Sequence, residues 1–244
     1  MTNNRKATIE NTNNSRDEQN EKCIEIAVNG TLMRGLELEP NLISLEAKFV
    51  REDLTESAYR LFSIDDLHPG MVRVPASGLE NVIPISVAVE IWCMPASGVA
   101  KLLQKEPPGL SMGKIKLKDG KTKILGVLAE PALIVGKKDI SDFPGAGIAN
   151  FRDYIIYEGM RITYEAMRKK ISLTGDELVT LKKFRNAAQL LRKDGKLREA
   201  IVLLNYCVKK LGLNNRLFQN IPNSSSESFV LAKHLRLGHK ELVK

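Results

Sequence analysis

Residues 29–34 read Asn-Gly-Thr-Leu-Met-Arg, a polar stretch opened by glycine at the exit of an apolar alternation, Ile24, Ile26 and Val28. Glycine lets a backbone turn sharply and approach a ligand closely, and successive N–H groups in such a turn converge on a concavity that favours an anion. Asn29 opens this loop, Gly30, Thr31, Leu32 and Met33 supply its candidate amides, and Arg34 offers a fixed positive charge for a carboxylate. A positive φ is expected at Gly30. The plainer alternative is an ordinary turn followed by a solvated arginine. Tyr59 and Arg60, in "YRLF", carry the same two readings, because strand alternation turns one of them inward and an inward tyrosine is often core.

Other chemistries find no support in the sequence. There is no phosphate-binding loop ending in Lys-Ser or Lys-Thr, no G-x-S-x-G nucleophile turn and no paired acidic cluster at metal spacing. "FPGAGIANF" is read as a loop. The histidines, His68, His234 and His239, are scattered, and no zinc site or other cofactor is expected. Cys23, Cys93 and Cys207 lie far apart in apolar surroundings and are read as buried thiols without a disulfide framework.

The elements that must position the loop follow from periodicity. Residues 1–21 are polar and almost without large apolar side chains, so ordering them would lose entropy with nothing buried in return, and the segment is expected to be disordered. From Lys22 short alternating runs predict strands: Ile24, Ile26 and Val28; Leu45, Ala47 and Phe49; "AYRLFSI"; "MVRV"; "PISVAVEIW". "SGVAKLLQ" spaces its apolar residues as a short helix, and Asp119-Gly120 between two alternating runs predicts a hairpin with a type I′ turn. The middle region is therefore an α+β domain whose mixed sheet curls toward a barrel.

From about Phe151 the pattern becomes helical. Thr174 and Glu177 form a capping box ahead of Leu181, Phe184, Ala188 and Leu191, with Gly195 as the stop. Leu197, Ile201, Leu204, Val208 and Leu211 follow on one face, closed by Gly212, and Ser224 with Glu227 caps a last helix. From Arg161 onward there are 18 Lys and Arg against 7 Asp and Glu, a net +11, whereas residues 1–160 carry −3. That charge lies on outer helix faces with few aromatics, so nucleic acid is not an expected partner. No apolar run approaches the roughly 18 residues of a membrane helix. With no secretory leader in view either, a cytoplasmic location is expected, a nuclear one being the alternative.

Several stretches, in order, resemble the C-terminal domain of allophanate hydrolase, a relative of the γ-glutamyl cyclotransferase fold: "VNGTLMRGLEL", "YRLFSIDDLHPGMVRV", "SVAVEIWCMP", "PPGLSMGKIKLKDGK" and "GVLAEPALIVGKKDISDF". The resemblance spans about residues 22–155. It implies a small mixed β-barrel with flanking helices, and the basic helical pattern beyond it is an extension over residues 156–244. In the cyclotransferase relatives a Tyr-Gly-Ser-Leu loop holds a carboxylate-bearing substrate by its amides, and "NGTL" is a version with Asn29 in place of Tyr.

What the resemblance implies for catalysis is divided. The allophanate hydrolase domain carries a histidine two residues after the loop glycine, where this chain has Leu32, and a leucine cannot move a proton. The cyclotransferase branch uses a glutamate beyond the helix that follows the central strand, and Glu106, in "QKEPPG", lies in that neighbourhood. Glu130 and Asp139 match acidic positions of the allophanate pattern, and Glu130 is the second candidate for catalysis. Two functions remain open: a domain that binds or converts a small carboxylate or amide metabolite, and a catalytically inactive relative that serves as a protein-interaction module through residues 156–244.

Overall fold

The computed structural model describes residues 23–74, 83–144, 146, 148–169, 173–219 and 221. The tail at 1–21 and the helix expected after Ser224 lie outside them. Five strands form a mixed sheet in the order β2 (Lys48–Leu54), β5 (Ala88–Met94), β1 (Ile24–Val28), β7 (Lys123–Ala129) and β6 (Leu110–Lys116). A smaller sheet sets β4 (His68–Arg73) beside β3 (Tyr59–Ile64) and the two-residue β8 (Lys138–Asp139).

The large sheet curls until its edges meet. Beyond β2 and β6, Thr55 bridges Leu117, the N–H of Lys118 donates to the Leu54 carbonyl at 2.8 Å, and the N–H of Glu56 donates to the Lys116 carbonyl at 3.0 Å. Alternation drives the curl. Ile26, Val28, Val89, Ile91, Ile115 and Ile124 are all buried, as a sheet with one face on a core requires.

Several local expectations are corrected. The strand expected at Leu45, Ala47 and Phe49 begins only at Lys48, because Pro40 opens a one-turn helix α1 (Glu39–Ser44) that buries Leu42, and Glu46 turns the chain with φ 62°. The Asp119-Gly120 hairpin joins β6 to β7, but by a longer turn than type I′. Only Gly120 has positive φ, the Asp119 carboxylate accepts the N–H groups of Lys121 and Thr122, and Leu117 pairs with Thr122. Cys23 and Cys93 are joined by a disulfide with their Cα atoms 5.5 Å apart, because β1 and β5 pair antiparallel with Glu25 opposite Cys93. Cys207 is the free, buried thiol among the three.

Helix α2 (Ala96–Leu103) follows β5 with Val99 and Leu102 inward. Helix α3 (Phe151–Arg168) starts at an Asn150 cap, α4 (Gly175–Lys193) carries the expected Thr174–Glu177 capping box, and α5 (Leu197–Lys210) returns after Gly195 at φ 72°. The short α6 (Arg216–Gln219) follows, its Phe218 packed on α3 so tightly that a Cβ at Gly159 would lie 2.6 Å from the ring. One continuous core runs from the barrel residues through Phe151 and Tyr154 to Leu204 and Phe218. No helix among the described residues is long and apolar enough to cross a membrane.

Candidate functional site

The loop after β1 is fixed by its own backbone and by one buried carboxylate. The N–H of Met33 donates to the Gly30 carbonyl at 2.8 Å, and the N–H of Leu38 to the Thr31 carbonyl at 2.9 Å. From behind, Glu90 on β5, wholly buried, accepts the Arg34 N–H at 2.8 Å and Arg34 Nε at 3.0 Å. Arg152 at the start of α3 brings a second guanidinium to Glu90 at 3.0 Å, and both arginines reach Glu52 on β2. Trp92 Nε1 donates to Glu90 at 3.3 Å, and the Arg34 guanidinium lies 3.5 Å from the Phe49 ring centroid. Burying a carboxylate is costly unless it is paired and hydrogen-bonded, and Glu90 is both.

This arrangement leaves three consecutive donors. Among the described residues, no acceptor takes the N–H groups of Gly30, Thr31 or Leu32, although Gly30 and Leu32 are buried and Thr31 half-buried. Gly30 is required for closeness rather than for handedness. Its φ is not positive, correcting the expectation, and a Cβ there would lie 2.6 Å from Pro69 Cγ on β4.

The remaining predicted residues divide. Asn29 is buried and donates to the Val127 carbonyl at 3.4 Å, while the side chains of Leu32 and Met33 join the core. Tyr59 is core, its hydroxyl accepting the Lys116 N–H at 3.1 Å. Arg60 pairs with Asp139 and donates to the Ile83 carbonyl, beside a separate cleft of about 660 Å³.

Topology brings both candidate glutamates to the loop's end of the sheet. β1 and β7 run parallel and finish together, β6 begins there with Leu110 opposite Ala129, and the Glu130 N–H donates to the Gly109 carbonyl at 2.8 Å. Glu130 is exposed at that end. Glu106, three residues before Gly109, is half-buried, and loss of solvent holds its carboxyl above the ordinary carboxylate range.

Glu90, Glu52 and Arg152 were missed in the sequence. A signal for Glu90 existed, since a lone carboxylate inside the apolar run "SVAVEIWCM" must find a partner; nothing local pointed to Arg152, which is 62 positions away.

The allophanate hydrolase C-terminal domain family matches residues 24–154, more than half of the chain. The chain belongs to that family. A uropathogenic E. coli-specific protein of known structure is 51% identical, with 49% of this chain and 88% of that one covered and a TM-score of 0.45. The allophanate hydrolase of Kluyveromyces lactis is 20% identical over 56% of this chain but only 22% of its own length, TM-score 0.49. A gamma-glutamyl cyclotransferase is 12% identical over 63% of this chain and 90% of its own, TM-score 0.34. No curated protein sequence matches. The fold itself is α+β, a curled mixed sheet with flanking helices. The family match ends inside α3, so that one helix carries the last matched residues and the first turns of the extension.

Proposed function

We propose that this allophanate hydrolase C-terminal-like domain binds a small carboxylate or amide metabolite at the loop after β1. The observation that carries the reading is the run of three N–H groups, Gly30, Thr31 and Leu32, that find no acceptor among the described residues, on a loop where those of Met33, Arg34 and Gly35 are taken. Buried donors without acceptors are costly, so such a run is stabilised by an oxygen-bearing guest, and a carboxylate supplies the strongest acceptor. Arg34 takes no direct part. Its guanidinium is held by Glu90 and Glu52, and it acts by fixing the loop.

Binding is better supported than turnover. Leu32 carries no proton, which leaves Glu106, with its raised pKa, as the candidate base for any conversion, while exposed Glu130 has no comparable environment. The alternative, an interaction module working through residues 156–244, has less behind it, since Leu181, Phe184 and Leu191 of α4 and Ile201, Leu204 and Val208 of α5 are spent on the common core. A Cβ at Gly35 would lie 2.7 Å from Arg198 Nε on α5.

Amide ¹H–¹⁵N spectra test the reading directly. Titration with allophanate, related ureides and γ-glutamyl amino acids is expected to move the Gly30, Thr31 and Leu32 signals and to raise the melting temperature. If none of these compounds moves the three amides, the loop is an ordinary turn.

A further inference from the structure

A cleft of about 830 Å³, with Met33 but none of Gly30, Thr31 and Leu32 in its lining, lies between the barrel and the helical extension. Its walls come from β2 and β5 on one side and from the start of α3 and the α4–α5 turn on the other. Much of the lining is apolar: Leu54, Ala88, Val89, Ile148 and Leu197, with the buried Met33 beneath. The size suits a small organic molecule.

The charges around it almost cancel. Glu52 is taken by Arg34 and Arg152, Asp53 by Arg51 and the Leu54 N–H, and Asp153 by Arg192. Two donors are left over. Lys193, exposed at the end of α4, has no carboxylate or other acceptor among the described residues. Arg152, only 4% exposed, keeps its Nε–H without an acceptor. The N-terminus of α3 adds partial positive charge on the same side. An apolar trough with an exposed ammonium at one wall and a guanidinium behind it matches a molecule that has an apolar body and one anionic end.

We propose that this cleft is a second binding site, for a monocarboxylate with an apolar body, distinct from the loop amides and dependent on the helical extension. The apolar body lies along Leu54, Val89 and Leu197, and the carboxylate faces Lys193 on the side of Arg152. Because two of its walls belong to α3, α4 and α5, the site exists only where barrel and extension are packed together.

Octanoate is the probe, octanamide its neutral control, and calorimetric titration of the full chain the measurement. Octanoate is expected to bind once per chain and octanamide about tenfold more weakly, the ratio that one charge-assisted contact provides. Lys193→Gln and Ile148→Glu, both at exposed positions, are expected to melt like the parent and to weaken octanoate by about the same factor. The proposal is overturned by absence of octanoate binding, by equal binding of acid and amide, or by parental affinity in both variants. Octanoate that shifts the Gly30–Leu32 amides and leaves those of Lys193 and Gly195 in place also overturns it.

Discussion

Arg34 meets Glu90 twice, through its backbone N–H at 2.8 Å and through Nε at 3.0 Å, and so ties the loop after β1 to the strand behind it. The sequence offers Arg34 either as a fixed charge for a bound carboxylate or as a solvated side chain; in the structure its guanidinium is held by Glu90 and Glu52. Arg34→Ala strips a wholly buried carboxylate of one of its two arginines and is expected to cost about 2–3 kcal/mol, less than a complete loss of pairing because Arg152 remains. Urea denaturation reads it, and a parental midpoint would show that Arg152 alone suffices.

Gly30 faces Pro69 with no room for a methyl group. Gly30→Ala is expected to destabilise by about 1–3 kcal/mol through overpacking, with no contribution from left-handed backbone strain. Collision and strain separate in a double-mutant cycle. Pro69→Ala should relieve most of the Gly30→Ala penalty, and additive losses in the cycle would contradict the collision.

Glu106 predicts a pH dependence. Burial raises its folded-state pKa above 4.5, so the native chain holds a proton there that the unfolded chain releases. Stability from this group is therefore greatest below the unfolded value and is lost as pH rises through the folded one. Glu106→Gln should remove that decline, giving a higher melting temperature than the parent at neutral pH and little difference at pH near 4. Melting curves across that interval that run parallel for the two proteins would exclude the assignment.

The cysteines can be counted chemically. Burial pushes the Cys207 thiol up to about 12, and Cys23 is bonded to Cys93, so the native chain should resist iodoacetamide. Denatured without reductant, it should take up label at Cys207 alone, and with reductant at all three cysteines. Mass spectrometry distinguishes these states, and labelling of Cys23 and Cys93 without reductant would mean that the bond does not form in solution.

Period and punctuation in the sequence determined much of the framework. Alternating Ile24, Ile26 and Val28 can bury one face only as a strand, the Thr174–Glu177 box can close only a helix start, and Gly195 and Gly212 take the left-handed geometry that a helix stop requires. These are local constraints, satisfied within a few residues of chain. The ordered stretches quoted for the family likewise carried the fold, and the family match over residues 24–154 agrees with them. What Glu90, Arg34, Arg152 and Glu52 do together was decided only by the tertiary structure. Their charges come from four different elements, and whether a charge is solvated or buried depends on what the rest of the chain packs against it. The same holds for the Gly30–Pro69 contact, the Cys23–Cys93 bond and the cleft beside Lys193, each set by the closing of the sheet and the docking of the helices. Local sequence specifies dihedral angles and apolar faces; the environment of a charge or a thiol is a property of long-range packing.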